Sequence, residues 1–425
     1  MYRLKWIILA LILLPFYSEA QTAYCGPFTA HGNISETGHS YETIRGDSIT
    51  CGSSAGISLT NCHDITIIKC KIVNGTTVNG VGVYLNNCYN ITIDSTFFSG
   101  CASGMFAIFC TGGIVFINNH DLNDVGPYPR GQMAQLDQCS GSGNIISYNI
   151  SQSFTGAGNY EDHINLYKSN GTSSSYIQVK YNSIYGGGPS TTGSGITIAD
   201  NGGSYQDVEY NTVVNCGADG MQVAGGTYII MSNNTIYGKR TTVSHIGLGA
   251  GNYSGLPSNN VTMGYNTIRW TNSAGAVADT FHHYLASDPY KIATPAQWNT
   301  NILSTTIDST VLSFPLWVSC ALPPNISYSP SSQTWTQYTA IGSWSPTNTG
   351  GAATSWSITP PQPSGITFST TTGVFTGTPL IPQSSTGYVV TATNSAGSSS
   401  VTVYITITAS AGGVIRVPGI TAIIK

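Results

Sequence analysis

Ionisable side chains are scarce in this chain, and they are not spread evenly. Asp, Glu, Lys and Arg make up 8% of its 425 residues, against about a quarter in an ordinary globular protein. Between residues 120 and 220, however, stand Asp121, Asp124, Arg130, Asp137, Glu161, Asp162, Lys168, Lys180, Asp200, Asp207, Glu209 and Asp219. The densest run is Glu161-Asp162-His163-Ile164-Asn165-Leu166-Tyr167-Lys168-Ser169, which brings carboxyl, imidazole, phenol and ammonium groups into one segment. Such a mixture is the equipment of general acid–base chemistry. Lys168 and Arg130 are candidates for a base or for neutralising a substrate carboxylate, with Asp162 beside them, and His163 and Tyr167 are candidate proton donors. Asp137, Asp162, Asp200 and Asp219 are the acids eligible for a two-carboxylate mechanism. The same carboxylates could bind Ca²⁺ through oxygen ligands.

Side chains so far apart in sequence need a repeating scaffold to meet, and the chain contains one. Short apolar–polar–apolar triplets recur as Ile57-Ser58-Leu59, Val83-Tyr84-Leu85, Ala134-Gln135-Leu136, Ile164-Asn165-Leu166, Ile196-Thr197-Ile198 and Met221-Gln222-Val223. Strand alternation points each middle residue outward. Stacked strands would then line up Ser58, Tyr84, Gln135, Asn165, Thr197 and Gln222 in a column, with Asp137 and Tyr167 on the same face two residues along. Amides, hydroxyls and aromatic edges in a strip suit the reading of hydroxyl-rich ligands; an ordinary solvated sheet face would look similar. The longer segments 126–132 and 186–190 could wall that strip.

A second phrase follows each triplet and ends on an Asn: Tyr148-Asn149, Tyr181-Asn182, Tyr210-Asn211, Asn233-Asn234 and Tyr265-Asn266, with Cys70, Thr96 and Asn119 in the same slot earlier. The steps between these slots run from 23 to 33 residues. Units of that length, rich in β-branched residues and turn formers, read as coils of a solenoid with unequal loops. The Asn is then expected to pass amide hydrogen bonds from coil to coil. On these phrases the chain resembles the right-handed parallel β-helix family of pectate-lyase-like proteins over residues 43–310. Further on, Pro363-Ser-Gly365-Ile-Thr-Phe-Ser-Thr-Thr-Thr-Gly373-Val-Phe-Thr-Gly377-Thr-Pro379 and Ala392-Thr-Asn-Ser-Ala-Gly397 resemble the Ig-like domain appended to bacterial secreted glycosidases and surface proteins. The resemblances imply an all-β chain: a right-handed parallel β-helix solenoid followed by a small Ig-like β-sandwich.

The β-helix resemblance implies a carbohydrate-active protein whose cleft lies on the middle coils. It includes lyases, hydrolases and non-catalytic adhesins, and fold alone does not choose among them. The chain departs from the Asp-Asp and Gly-His patterns of polygalacturonase-like hydrolases and from the Arg-x-Pro-x-x-Arg lyase signature. The expectation is a protein that binds and depolymerises a polysaccharide, lyase chemistry ahead of hydrolysis. The alternative is a non-catalytic glycan-binding surface adhesin or matrix protein. Tyr84, Gln135, Asp137, Asn165, Tyr167, Asp200, Asp219 and Gln222 are the expected substrate contacts. Without clustered Lys and Arg there is no footprint for nucleic acid.

The ends of the chain complete the organisation. Arg3 and Lys5, the apolar run 6–16 and Ser18-Glu19-Ala20 have the pattern of a signal peptide over residues 1–20, so a secreted or cell-surface protein is expected, not a membrane-embedded one. Residues 21–42 are expected to cap the first coil, the coils to run to about Trp270, and residues 272–310, where the repeat fades, to close the far end. The Ig-like module is expected over 325–409 and a short tail over 410–425. From Val311 to Ile415 no Asp, Glu, Lys, Arg or His occurs, so acid–base chemistry is excluded there. Cys62, Cys88 and Cys110 fall in matching phrases and read as a buried stack, with a disulfide between neighbouring coils as the alternative; Cys25 and Cys51 could staple the cap. The absence of Cys-x-x-Cys pairs argues against zinc.

Overall fold

The computed structural model describes residues 28–74, 80–127, 130–154, 157–242, 246–251, 255, 258–272, 274–277, 281–283, 300–312, 323–394, 397–410, 414–417 and 420–423. The expected signal peptide and Cys25 lie outside the described residues. The chain divides into two compact units, the first running to Pro315 and the second from Leu316 onward.

The first unit is a parallel β-helix. Three parallel sheets of eleven, ten and nine strands run the length of the solenoid, each strand pairing with the equivalent strands of the coils before and after it. One coil takes Ile164–Tyr167 in the first sheet, Ile177–Lys180 in the second and, after the Asn182 bend, Ser183–Tyr185 in the third. The ladder begins at Thr29–His31, inside the stretch expected to act as a cap. It also runs past Trp270: Phe281–His283 and Ile302–Leu303 pair with the coil before them. That coil escapes the sequence because Asn301 follows Asn266 by 35 residues, a step longer than any other in the series.

Alternating side chains fill the interior. In the second sheet Ile67, Ile93, Phe116, Ile146, Val179 and Val208 stand in register, all fully buried. In the third sheet the inner column is apolar from Ile49 to Phe98 and again from Ile184 to Ile268; only Asp121 and Ser151 interrupt it. The Asn bends hold the coils together. Asn182 accepts at Oδ1 from the Asn149 backbone N–H (3.0 Å) and side-chain amide (2.9 Å), while its own Nδ2 donates to the Ile146 carbonyl and to Asn211 Oδ1, both at 2.9 Å. Asn119, Asn149, Asn211, Asn234 and Asn266 repeat this arrangement, and Asn301 ends it. In this way buried backbone groups that a bend would orphan are satisfied. The eight described cysteines are free and buried, and Cys139 adds to the stack expected of Cys62, Cys88 and Cys110.

The second unit is a small sandwich. Ser332–Thr336, Gly397–Thr408, Gln383–Asn394 and Ser355–Thr359 form one sheet, and Ile341–Trp344, Phe375–Gly377 and Ile366–Phe368 the other. Trp335, Trp344, Trp356, Phe375 and Tyr388 dominate the core between them. Val414–Val417 and Ile420–Ile423 form a separate antiparallel pair. Among the described residues no helix is long and apolar enough to cross a membrane.

Candidate functional site

The outward column of the first sheet assembles in register. Ser58 pairs with Tyr84, Tyr84 with Phe106, Phe106 with Gln135, Gln135 with Asn165, Asn165 with Thr197, and Thr197 with Gln222. Phe106 is the member that sequence reasoning missed, because Met105-Phe106-Ala107 has no polar middle residue to mark it. Two residues along, Asp137 pairs with Tyr167 and Tyr167 with Asp200. Strict alternation from Thr197 would turn Asp200 inward. A bulge prevents this: the register slips between Asn165 and Tyr167, and Ala199, at φ 52°, takes the inward place. Bulges commonly re-aim a side chain in this manner.

Above the middle of the column lies a cleft of about 980 Å³. Its lining includes five carboxyl residues, Asp137, Glu161, Asp162, Asp200 and Asp219, and two guanidinium residues, Arg130 and Arg240. Thr191 and Thr192 come from the long segment before Ser194–Asp200, and Arg130 and Gln132 from the segment before Ala134–Asp137.

A continuous hydrogen-bond network forms the floor. Arg130 lies with its guanidinium 3.4 Å from the Phe106 ring centroid and donates through Nη1 to Gln135 Oε1 at 2.7 Å. Desolvation lowers its pKa. Gln135 Nε2 donates to Asn165 Oδ1 at 3.3 Å, and Asn165 Nδ2 donates to both Asp162 Oδ2 (2.7 Å) and Asp200 Oδ2 (3.0 Å). One amide therefore holds two carboxyl groups within a few ångström of each other. Asp162 Oδ1 accepts from the Ser194 N–H at 2.7 Å and from Thr197 Oγ1 at 2.6 Å, and Gln222 Nε2 donates to Thr197 Oγ1 at 3.2 Å. Glu161 is held at the rim by Thr192 Oγ1, 2.7 Å away.

The carboxyl groups differ in surroundings. Burial pushes Asp162 up to about 7 against three hydrogen bonds that favour its ionised form. Asp219 is also pushed up to about 7, by desolvation alone, and its side chain makes no hydrogen bond among the described residues. Its carboxyl lies over Gly249, where a methyl group would come within 3.0 Å of Asp219 Oδ2. Burial raises Asp200 as well. Asp162 and Asp219 flank Ser194 from the two neighbouring coils, the one through the Ser194 N–H and the other through strand register.

Two candidates from the sequence stand apart. Lys168 is exposed, with Nζ 5.0 Å from the Tyr167 ring centroid, and does not line the cleft. His163 points into the solenoid, where Nε2 meets the Gly186 carbonyl at 2.7 Å, Nδ1 meets Ser151 Oγ at 2.6 Å, and the ring stacks on Tyr160. Burial lowers its pKa to about 3, so it is a neutral interior group. Tyr84 lies beside Phe106 outside the cleft lining, and Tyr167 inside it, with its hydroxyl accepting from Asn201 Nδ2 at 2.8 Å. Gln132 lies in the segment 126–132 expected to wall the strip, whereas Thr191, Thr192 and Arg240 carried no sequence signal, since they come from segments outside the repeat. Among the described residues no group of three or more His, Cys, Asp or Glu side chains could hold a metal ion. Asp162 accepts from protein donors at both oxygens.

Comparison with known proteins bears on each unit. Residues 323–408 match the family model described as Putative Ig domain. The solved structures include a similar chain, the enzymatically active domain of tailspike protein 2 of Bacteriophage CBA120, at 10% identity and a TM-score of 0.34. The alignment covers 89% of this chain and 65% of that one, less than two thirds of its length. No curated protein matches the chain.

Proposed function

We propose that this is an exported protein whose cleft binds a polysaccharide and hydrolyses it with paired carboxyl groups. The observation that carries this reading is the contrast between Asp219 and Asp162 across one cleft. Asp219, without a hydrogen-bond donor and raised by desolvation, suits the role of general acid toward a glycosidic oxygen. Asp162 accepts three hydrogen bonds, and a carboxylate offers about four lone-pair sites. One site is left for the attacking water, and Asp200, sharing Asn165 with it, tunes the charge there. Two strand spacings separate Asp162 from Asp219, about 10 Å at the backbone. That approaches the roughly 6.5–9.5 Å between carboxyl groups that leaves room for a water in inverting hydrolysis. Neutral amides and hydroxyls from Gln135, Asn165, Thr197 and Gln222 suit sugar hydroxyls.

Lyase chemistry, the sequence expectation, has less support. Five carboxyl groups against two guanidiniums make a poor seat for a polymer carrying a carboxylate on each sugar, and neither Lys168 nor His163 reaches the cleft. The Ig-like unit, free of Asp, Glu, Lys, Arg and His, fits a spacer or adhesion module. The test is turnover of a polysaccharide panel by the purified protein. Release of reducing ends without ultraviolet-absorbing unsaturated ends supports hydrolysis; unsaturated ends would restore the lyase reading. Binding without turnover would make the protein a glycan-binding one.

A further inference from the structure

Beneath the cleft the solenoid interior contains two carboxyl groups that the proposed reaction does not use. Asp121, with Ser151 beside it, interrupts the otherwise apolar inner column of the third sheet, and Asp124 follows three residues later; both carboxyl groups are fully buried. Asp124 Oδ2 accepts from the Gly104 N–H at 3.0 Å, and Asp121 Oδ2 accepts from the Tyr160 hydroxyl. Ser151 Oγ is 2.6 Å from His163 Nδ1 and 3.4 Å from Asp121 Oδ2. His163 donates through Nε2 to the Gly186 carbonyl, so its neutral ring accepts the Ser151 proton at Nδ1, and Asp121 is left with Tyr160 as its donor. The remaining oxygens, Asp121 Oδ1 and Asp124 Oδ1, are buried with no hydrogen-bond partner, although the two carboxyl groups are close enough to interact directly. Two adjacent carboxylates cannot both stay ionised in such a place.

We propose that Asp121 and Asp124 hold one proton between their Oδ1 atoms, and that this acid pair, through Tyr160 and the His163 ring stacked on it, seats the turn carrying Glu161 and Asp162 in the cleft. The turn is built for such a role: Tyr160 and His163 stack on each other inside, 4.0 Å between ring centroids, while Glu161 and Asp162 between them face the cleft. The proposal rests on the hydrolase reading only in taking Asp162 to be a reacting group. Asp121 and Asp124 are positioning residues, not catalytic ones. The titratable groups facing the pair are the Tyr160 phenol, the His163 imidazole beyond Ser151, and the Cys51 and Cys101 thiols. No Lys or Arg among the described residues forms a salt bridge with it.

The sign follows from linkage. Burial raises Asp121 to about 7 and Asp124 in the same direction, so the native state keeps a proton that the unfolded chain gives up above the ordinary carboxylate range of about 4. The stabilisation is present at low pH and lost as pH rises through about 7. Ser194, whose N–H is held by Asp162 Oδ1, reports the seating of the turn. In amide exchange on the full chain from pH 5.5 to 9, corrected for intrinsic rates, Ser194 should exchange faster by up to about tenfold per pH unit above about pH 7, the slope for one linked proton. Ionisation of Asp162 over the same range would strengthen its bond to Ser194, an effect of opposite sign. Asp121→Asn and Asp124→Asn, which keep the pair uncharged or singly charged, should flatten that slope. Tyr160→Phe, which keeps the ring stack, should speed exchange across the whole range. An unchanged slope in both Asn variants, or a profile that stays flat in Asp162→Asn, where the opposing ionisation is removed, would overturn the proposal; if neither pair variant folds, the Asp162→Asn profile decides. No substrate enters the measurement, so an inactive cleft leaves the pair's test standing, and a flat profile leaves the cleft reading standing.

Discussion

Two polar columns run along the same solenoid, and they spend their hydrogen bonds differently. At the bends the ladder from Asn119 to Asn301 repeats one residue type, and each amide binds the backbone of the coils beside it. On the cleft face the column changes residue at each coil, and Gln135, Asn165, Thr197 and Gln222 bind mainly one another and the acids. Repetition at the bend follows from a need that is the same in every coil: two orphaned backbone groups. Variation on the face follows from the lack of any such shared need. Among the described residues the ladder spends its amides on the coils beside it, whereas the cleft retains Asp219 with no donor. Uniform columns of this kind are scaffold; heterogeneous columns with unspent polar capacity are where chemistry can sit.

The contrast can be broken most sharply at the ladder. Replacing Asn211 by Leu orphans the Asn182 N–H and the Val179 carbonyl, each at about 1–3 kcal/mol when buried. Chemical denaturation should therefore register a loss of at least about 2 kcal/mol, and an unchanged midpoint would remove the ladder's claim to be scaffold. On the cleft face the order of effects reverses. Asp219→Asn should lower turnover about a hundredfold or more, the worth of a positioned general acid, while leaving the unfolding midpoint nearly unchanged because no hydrogen bond is lost. In the wild type, kcat/KM should fall as pH rises through about 7, where Asp219 gives up its proton; that alkaline limb should change in the variant. Persistence of both rate and limb would dismiss Asp219 as the acid.

Smaller effects refine the picture. Gly249→Ala puts a methyl group 3.0 Å from Asp219 Oδ2 and 3.2 Å from Gln222 Cβ, tighter than either neighbour tolerates without moving. Steady-state kinetics should show kcat falling about tenfold, as small misplacements of a reacting group produce, with Tm little changed. Lys168→Ala should alter kcat/KM by less than about twofold, the result for a solvated side chain outside the cleft; a large loss would return Lys168 to the site and revive the lyase mechanism.

How much of this was legible depended on whether a residue obeyed the repeat. Ser58, Tyr84, Gln135, Asn165, Thr197 and Gln222 could be placed in one column because period-two alternation and a shared triplet fix their direction. Asp137 and Tyr167 followed by the same rule. Phe106 obeyed the geometry but not the polarity, so the pattern passed over it. Asp200 reaches the face through a bulge at Ala199, and no local signal marks which strand takes an extra residue. Alternation counted back from Asn165 would turn His163 outward and Asp162 inward; the reverse is found, because both residues precede the strand Ile164–Tyr167 and are not bound by its alternation. Asn301 lay beyond a loop longer than those that set the expected step.

By itself the sequence determined the solenoid, the Asn bends, the polar column and a sandwich module in a stretch, residues 311–415, without Asp, Glu, Lys, Arg or His. These rest on local periodicity and on a backbone requirement that recurs in each coil, and both are written in residue order. Only the tertiary structure decided which acids share a cleft, that Lys168 stays outside it, that His163 is neutral and interior, and that Asp121 and Asp124 meet in the core. Those outcomes depend on burial and on contacts between coils about 30 residues apart in sequence. Desolvation and hydrogen bonding set the proton affinity of a carboxyl group, and neither exists until the coils have stacked.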